Sequence, residues 1–220
     1  MTPRSVLVVG AGLAGARCAE TLRAEGFEGD VVLVGEEPVP PYERPALSKE
    51  LLAGTRTPDS LWLRPPGFWA DQQISLVLGE RVIRLDEAEQ VAVSDRGTRL
   101  SWDKVVLATG ARPRYLPFAT PRGVHVLRTL GDALALQAEL EPARRLAIVG
   151  GGFVGAEVAS TARGLGLEVA LLEAGETPFA TVLGSEVGAL LAERYREHGV
   201  DLRTQALAAG FQANGSGRVC

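Results

Sequence analysis

One motif, present twice, limits what this chain can fold into more than any other feature. Val6 to Gly15 reads V-L-V-V-G-A-G-L-A-G, and Leu146 to Gly155 reads L-A-I-V-G-G-G-F-V-G, starting 140 residues later. In each copy an apolar run as long as one buried parallel strand leads into a G-x-G-x-x-G turn and then an Ala-rich helical stretch. Gly10 and Gly150 permit the tight strand-to-helix turn, Gly12 and Gly152 let the main chain approach a pyrophosphate, and Gly15 and Gly155 let the helix pack closely on the strand. The anion then sits on free N–H groups at the positive end of that helix. One such turn is a weak signal; two in one chain point to two dinucleotide sites.

Each copy also carries an acid where the ribose of an adenine dinucleotide needs one. A strand at Val31 to Val34 is followed by Glu36, and one at Val169 to Leu172 by Glu173. They stand 26 and 23 residues after the first glycine of their copy, a spacing that a slightly longer helix–strand connection absorbs.

The remaining sequence supports an α/β protein and excludes some classes. With 220 residues, 46% of them hydrophobic, the chain is long enough for one large domain or two small ones. A net charge of −4 argues against nucleic acid or an anionic membrane as the main partner. No apolar run reaches a membrane span and no signal peptide is visible, so a cytoplasmic location is expected. The two cysteines, Cys18 and Cys220, are too few and too distant for a metal cluster or a redox pair. Cys18 reads as a small core residue.

In chain order, the first strand and helix run from Thr2 to Gly26. Glu36 to Lys49 is a proline-punctuated loop, after which Ser48 is expected to cap a short helix over Glu50 to Ala53 that ends at Gly54. Lys49 then falls in a first helical turn, where a cation opposes the dipole. Four runs, Ile74–Leu78, Arg81–Leu85, Gln90–Ser94 and Thr98–Trp102, read as an antiparallel meander inserted into the parallel sheet. Lys104 to Gly110 returns as a buried strand, and the proline-rich stretch Arg112 to Pro121 reads as a crossover. Gly131 to Glu141 is expected to be a helix capped by Asp132. Ser185 to His198 reads as an amphipathic helix with Val187, Leu190, Leu191 and Tyr195 on its buried stripe, Gly199 closing it and His198 on its last carbonyls. Leu202 to Cys220 reads as the start of a β-hairpin.

Several of these stretches together resemble the FAD-dependent ferredoxin reductases. They are the loop E-E-P-x-x-P-Y-x-R-P-x-L-S-K from Glu36 to Lys49, the strand end Ala108-Thr109-Gly110, Leu127-Arg128-Thr129, the second fingerprint through Glu157, and Leu172-Glu173-Ala174. The resembled family consists of NADH-linked flavoproteins that feed electrons to small iron–sulfur ferredoxins serving Rieske dioxygenases and haem monooxygenases. Rubredoxin reductases, apoptosis-inducing flavoproteins and the nitrite-reductase flavin domain are its close relatives. The R-P-x-L-S-K element is specific, since generic disulfide reductases have a cysteine pair there. Ala46 departs from the family, which usually has a second proline at that position.

The resemblance implies two Rossmann-like FAD/NAD-linked modules with an inserted antiparallel meander, FAD-binding over residues 1–113 and NAD-binding over 114–220. It implies that Ala14 and Glu36 hold the adenosine half of FAD, with Leu13 in the same turn and Val82 against the adenine. Arg44, Lys49 and Arg128 would lie along the cofactor, and Phe153 and Val154 would contact NAD within the second turn. Lys49 would pair with Glu157 beside the flavin, a pairing that suits an acid expected in the first turn after Gly155. Glu173, followed by Ala174-Gly175-Glu176 with no arginine, would favour NADH over NADPH. The family's FAD domain resumes after the NAD domain with a Gly-Asp motif and a closing strand. The Gly29-Asp30 and Gly131-Asp132 pairs come too early to be that motif, so both modules are expected to be incomplete at their C-terminal side and the central sheet to keep an open edge. A hydride from NADH to flavin, then single electrons to a ferredoxin, is the expected activity. The alternatives are a non-enzymatic dinucleotide-binding module and a reductase for rubredoxin or another acceptor.

Overall fold

β1 (Ser5–Val9) sends alternate side chains to two covered faces, which is why it reads as an unbroken apolar run. A computed structural model describes residues 4–142 and 144–219, so Cys220 lies outside the described residues. The chain divides into two units: residues up to Glu43 with Asp59–Arg112, and Arg44–Pro58 with the residues from Pro113 onward.

In the first unit, Val6 and Val8 bury against Ala16 and Ala19 of α1 (Leu13–Ala24), together with Val31, Leu33, Trp69 and Ile74. On the opposite face Leu7 and Val9 cluster with Val34 and Ala92. β2 (Asp30–Gly35) runs parallel to β1, with Ser5 opposite Asp30 and Val9 opposite Val34. A single-turn helix, α2 (Phe68–Asp71), then leads into β3 (Ile74–Leu78). β3 is parallel to β2, with Val31 opposite Ile74, so it belongs to the main sheet and not to the meander where the sequence put it. The 38 residues between β2 and β3 supply the crossover that parallel pairing needs. The antiparallel sheet holds three strands, β4 (Val82–Asp86), β5 (Val91–Ser94) and β6 (Arg99–Ser101). β7 (Lys104–Leu107) closes the order β3-β2-β1-β7, parallel to β1. It was expected to be buried but is an edge strand, and Leu107 is 62% exposed.

The second unit repeats the theme. α3 (Leu130–Gln137) precedes β8 (Arg145–Val149), α4 (Phe153–Gly164) and β9 (Glu168–Leu172); α5 (Ala180–Leu183), α6 (Ser185–Glu197) and β10 (Val200–Arg203) follow. The sheet order is β10-β9-β8, all parallel, over a core of Ala159, Ala162, Leu167, Val169, Leu171, Ala192, Val200 and Leu202. β10 is therefore a parallel edge strand, where the sequence suggested a hairpin; among the described residues the antiparallel pairing beyond it is the isolated bridge of Ala213 with Val219. Thr129, not Asp132, caps α3: its hydroxyl accepts the Asp132 N–H at 3.1 Å, while Asp132 accepts the Thr129 N–H at 2.8 Å. α6 buries Gly188 and Ala192 and leaves Leu190 64% exposed, so the inward stripe is rotated from the one expected. A glycine reads as apolar-neutral in a periodicity count, yet here it is the closest approach, a Cβ on Gly188 falling 2.3 Å from Thr177 Oγ1. His198 Nδ1 lies 2.8 Å from the Arg194 carbonyl, at the end of α6.

Arg44–Pro58 belongs to this second unit, although it lies within residues 1–113. Arg44–Ser48 is a 3-10 helix, and the residues after it form hydrogen-bonded turns in place of the expected helix over Glu50 to Ala53. Leu52 buries with Leu136 of α3 and Val158 of α4, and Gln137 Nε2 donates to the Leu51 carbonyl at 2.5 Å. Among the described residues, no helix is long and apolar enough to cross a membrane.

Candidate functional site

The first fingerprint is built from close approaches. The Gly10 N–H donates to Val34 O at 2.8 Å, which seats the turn on β2. Gly10 has φ +117°, and a Cβ there would lie 2.1 Å from Ala108 O; on Gly15 it would lie 1.9 Å from Gly10 O. On Gly12 it would meet nothing within 4 Å. α1 begins at Gly12 with no side-chain cap and no acid in its first turn, so the first N–H groups of this helix are left for an anion. The open space over Gly12 and these donors fit a dinucleotide pyrophosphate. Leu13, at the same turn, is 55% exposed, and Ala14 beside it is exposed too. Glu36 follows β2 and is held by Arg112, whose Nη2 donates to Oε1 at 3.0 Å and Oε2 at 2.8 Å. Val82 packs against the cluster of Leu7, Val9, Val34 and Ala92, in the same unit.

The second fingerprint has the same geometry. Gly150, at φ +107°, donates to Leu172 O at 2.8 Å, and a Cβ on Gly155 would lie 2.1 Å from Gly150 O. Gly152 again faces open space, and α4 starts there without a side-chain cap. Phe153 and Val154 are 58% and 50% exposed, and the Phe153 ring packs on Phe179 with centroids 4.9 Å apart. Glu173 is fixed by two main-chain donors, Gly151 N–H to Oε2 at 2.8 Å and Gly175 N–H to Oε1 at 2.7 Å. Each oxygen keeps lone pairs for a further donor such as a ribose hydroxyl.

The second unit also assembles an ion pair. Lys49 Nζ lies 2.6 Å from Glu157 Oε1, and the buried Ser48 hydroxyl donates to Glu157 Oε2 at 2.5 Å. Lys49 Nζ also donates to Pro45 O at 3.2 Å. One turn along α4 from Glu157, Thr161 Oγ1 donates to the Ser48 carbonyl at 2.7 Å. Two expectations change. Lys49 follows a 3-10 helix and so opposes no α-helix dipole, and Glu157 lies in the second turn of α4, where the dipole has faded. Burial works against the Glu157 charge, but the hydrogen bonds from Lys49 and Ser48 and the Lys49 charge outweigh it and hold the carboxyl below its ordinary range. Arg44 Nη1 donates to the Arg128 carbonyl at 2.7 Å, so these two expected cofactor residues meet within one unit.

Arg112, Ser48, Thr161 and Gly175 were not named as site residues from sequence. Arg112 follows the carboxyl end of β7, where ligands gather in doubly wound sheets, and that position was a usable signal. The spacing of four between Glu157 and Thr161 was another. Ser48 lies inside the R-P-x-L-S-K element, but a serine before a helix-like stretch reads first as a cap.

The family model for pyridine nucleotide-disulphide oxidoreductases matches residues 4–219. Rhodocoxin reductase of Rhodococcus erythropolis is 42% identical over 202 residues, covering 90% of this chain and 47% of that protein. The 5,5'-dehydrodivanillate O-demethylase ferredoxin reductase subunit of Sphingobium sp. (strain NBRC 103272 / SYK-6) is 44% identical over 209 residues, 94% of this chain and 50% of that protein. Among solved structures, the covalent putidaredoxin reductase–putidaredoxin complex matches with a TM-score of 0.92 at 38% identity, covering 98% of this chain and 53% of that one. The chain thus spans about half the length of the curated relatives it matches.

Proposed function

Because the chain belongs to the pyridine nucleotide-disulphide oxidoreductase family, we propose that it carries the FAD and NADH fingerprints of an NADH-dependent ferredoxin reductase. When bound, the two cofactors supply the redox chemistry, a hydride passing from nicotinamide to flavin and single electrons onward to an iron–sulfur ferredoxin. The protein's own part is binding and electrostatics. Gly10, Gly12, Leu13, Ala14 and Gly15 seat the FAD pyrophosphate on α1, Glu36 takes the ribose, and Val82 lies against the adenine. Gly150, Gly152, Phe153, Val154 and Gly155 do the same for NADH on α4, with Glu173 on its ribose. Arg44, Arg128 and the Lys49–Glu157 pair serve the flavin. The observation that carries this reading is the pair itself, Lys49 Nζ to Glu157 Oε1 at 2.6 Å, which joins the R-P-x-L-S-K loop to the helix of the second fingerprint. The use of NADH supports a cytoplasmic location for this reading.

The test is to load a version of the protein extended to the length of its relatives with FAD and follow ferredoxin reduction with NADH and with NADPH. NADH-driven reduction is expected. Failure to pass electrons to any ferredoxin, from a protein that retains flavin, would leave only a dinucleotide-binding module. NADH should also bind at least about tenfold more tightly than NADPH, a gap of about 1.4 kcal/mol, because Glu173 repels a 2′-phosphate. Replacing Glu173 by Ala should close that gap.

A further inference from the structure

We infer that Ser48 is the positioning residue of the Lys49–Glu157 pair: its buried hydroxyl fixes the second carboxylate oxygen of Glu157 so that the first is presented to Lys49. Ser48 is 4% exposed, and its hydroxyl has an acceptor 2.5 Å away at Glu157 Oε2 against 3.4 Å for its other neighbour, Pro45 O. The strong contact is therefore the one to the carboxylate. A glutamate on a helix surface has three rotatable bonds, and a single flexible lysine does not choose among its rotamers. A second donor on the other oxygen does.

The backbone that carries this donor is itself clamped to α4. Thr161 stands four residues after Glu157, on the same face, and donates to the Ser48 carbonyl at 2.7 Å. Glu157 and Thr161 thus grip Ser48 by hydroxyl and by carbonyl, and the 3-10 turn Arg44–Ser48 is held at two points. Leu52, buried on Leu136 and Val158, adds an apolar anchor just beyond. The charged group that meets Glu157 is Lys49, from the turn; Asp132, the acid on α3, is occupied in its own cap.

The structural half of this inference stands by itself, while its consequence for flavin reduction rests on the function proposed above. The protein is labelled with 13C at glutamate carboxyls, the Glu157 signal is assigned with Glu157→Gln, and its titration is followed in the wild type and in Ser48→Ala. The Glu157 midpoint is expected to rise toward the ordinary carboxylate range in Ser48→Ala. In the unsubstituted protein, a slowly exchanging hydroxyl proton with through-space contact to the Ser48 methylene is expected to vanish as Glu157 protonates. An unmoved midpoint, or the absence of that proton, overturns the inference whether or not Ser48→Ala is stable. With FAD bound, the acid limb of the pH profile for flavin reduction by NADH should move with the midpoint. A midpoint that moves while reduction does not would uphold Ser48 as the positioning residue and overturn instead the placing of Glu157 beside the flavin.

Discussion

Gly12 and Gly15 stand three residues apart and carry different loads. A Cβ on Gly15 would lie 1.9 Å from the Gly10 carbonyl oxygen, a backbone atom that cannot step aside, whereas a Cβ on Gly12 meets nothing within 4 Å. Gly15→Ala should therefore destabilise the protein by about 3 kcal/mol through overpacking. Gly12→Ala should cost only about 0.5 to 1 kcal/mol, from a poorer N-cap, yet weaken FAD binding roughly tenfold by filling the space over the helix start. Urea denaturation and flavin titration separate the two. The packing role of Gly15 was legible because the motif fixes it at that spacing. That Gly10 also backs onto Ala108, 98 residues away, was not, since no local pattern encodes it. The Lys49–Glu157 pair makes a second case. Side chains 42% and 32% exposed make a pair worth about 1 kcal/mol to stability, against the 3–5 kcal/mol lost on breaking a buried one. Lys49→Ala and Glu157→Ala should each cost about that much, and the double change little more than either. The Glu157 carboxyl is lower in the folded protein than in the unfolded chain, so its contribution is complete above about pH 4.3 and drains away as the pH falls through the folded value. Acid titrations of stability for wild type and Glu157→Gln should converge below that point and differ above it.

At the scale of elements, the duplication extends past the glycines. Arg23 and Arg163 each stand thirteen residues beyond the first glycine of their fingerprint, near the end of α1 and α4. Each turns back on the loop that leads to the next strand. Arg23 donates to the carbonyls of Phe27 at 2.6 Å, Gly29 at 2.7 Å, Gln72 at 2.8 Å and Gln73 at 2.6 Å. Arg163 donates to Leu167 at 2.7 Å and His198 at 3.0 Å. In both, the guanidinium reaches the residue four further on, and Gly26 and Gly166, at φ +80° and +84°, end the helix alike. A charged fan of this kind satisfies loop carbonyls that have no helix partner. Arg23→Ala should cost about 2 to 3 kcal/mol in urea unfolding and Arg163→Ala about 1.5 kcal/mol, with lysine recovering less than half because it lacks the planar fork. Neither arginine stood out in the sequence, where each reads as a solvated helix residue. Strands and helices next to the fingerprints were legible because burial on both sheet faces leaves an unbroken apolar run, as in β1 and β9. β3 and the inward stripe of α6 were not: the same period-2 run serves a parallel or an antiparallel strand, and the tight contact of Gly188 on Thr177 turns α6 in a way that side-chain hydropathy does not reveal.

For the whole chain, the two units share one plan and differ where the proposed chemistry lies. The position held by Glu157 in the second helix is held in the first by Arg17, seven residues past the first glycine in each, and Arg17 pairs with Glu20 of its own helix at 2.6 Å. The two sheets also end alike. Among the described residues, β7 closes the first sheet with Leu107 62% exposed, and β8 closes the second with Val149 45% exposed. Both strands therefore present an unpaired row of N–H and C=O groups next to exposed apolar side chains, the combination that templates pairing with another chain. The 220-residue chain expressed by itself should consequently self-associate at micromolar concentration, giving a light-scattering mass above that of one chain. A lysine at either edge blunts such pairing through its charge and hydration, so Leu107→Lys with Val149→Lys should return the mass toward the monomer and leave the far-ultraviolet circular dichroism unchanged. A wild-type chain that elutes as a monomer across that concentration range would show that the edges are covered by something other than a second chain, and the double substitution would then lower stability instead of raising solubility.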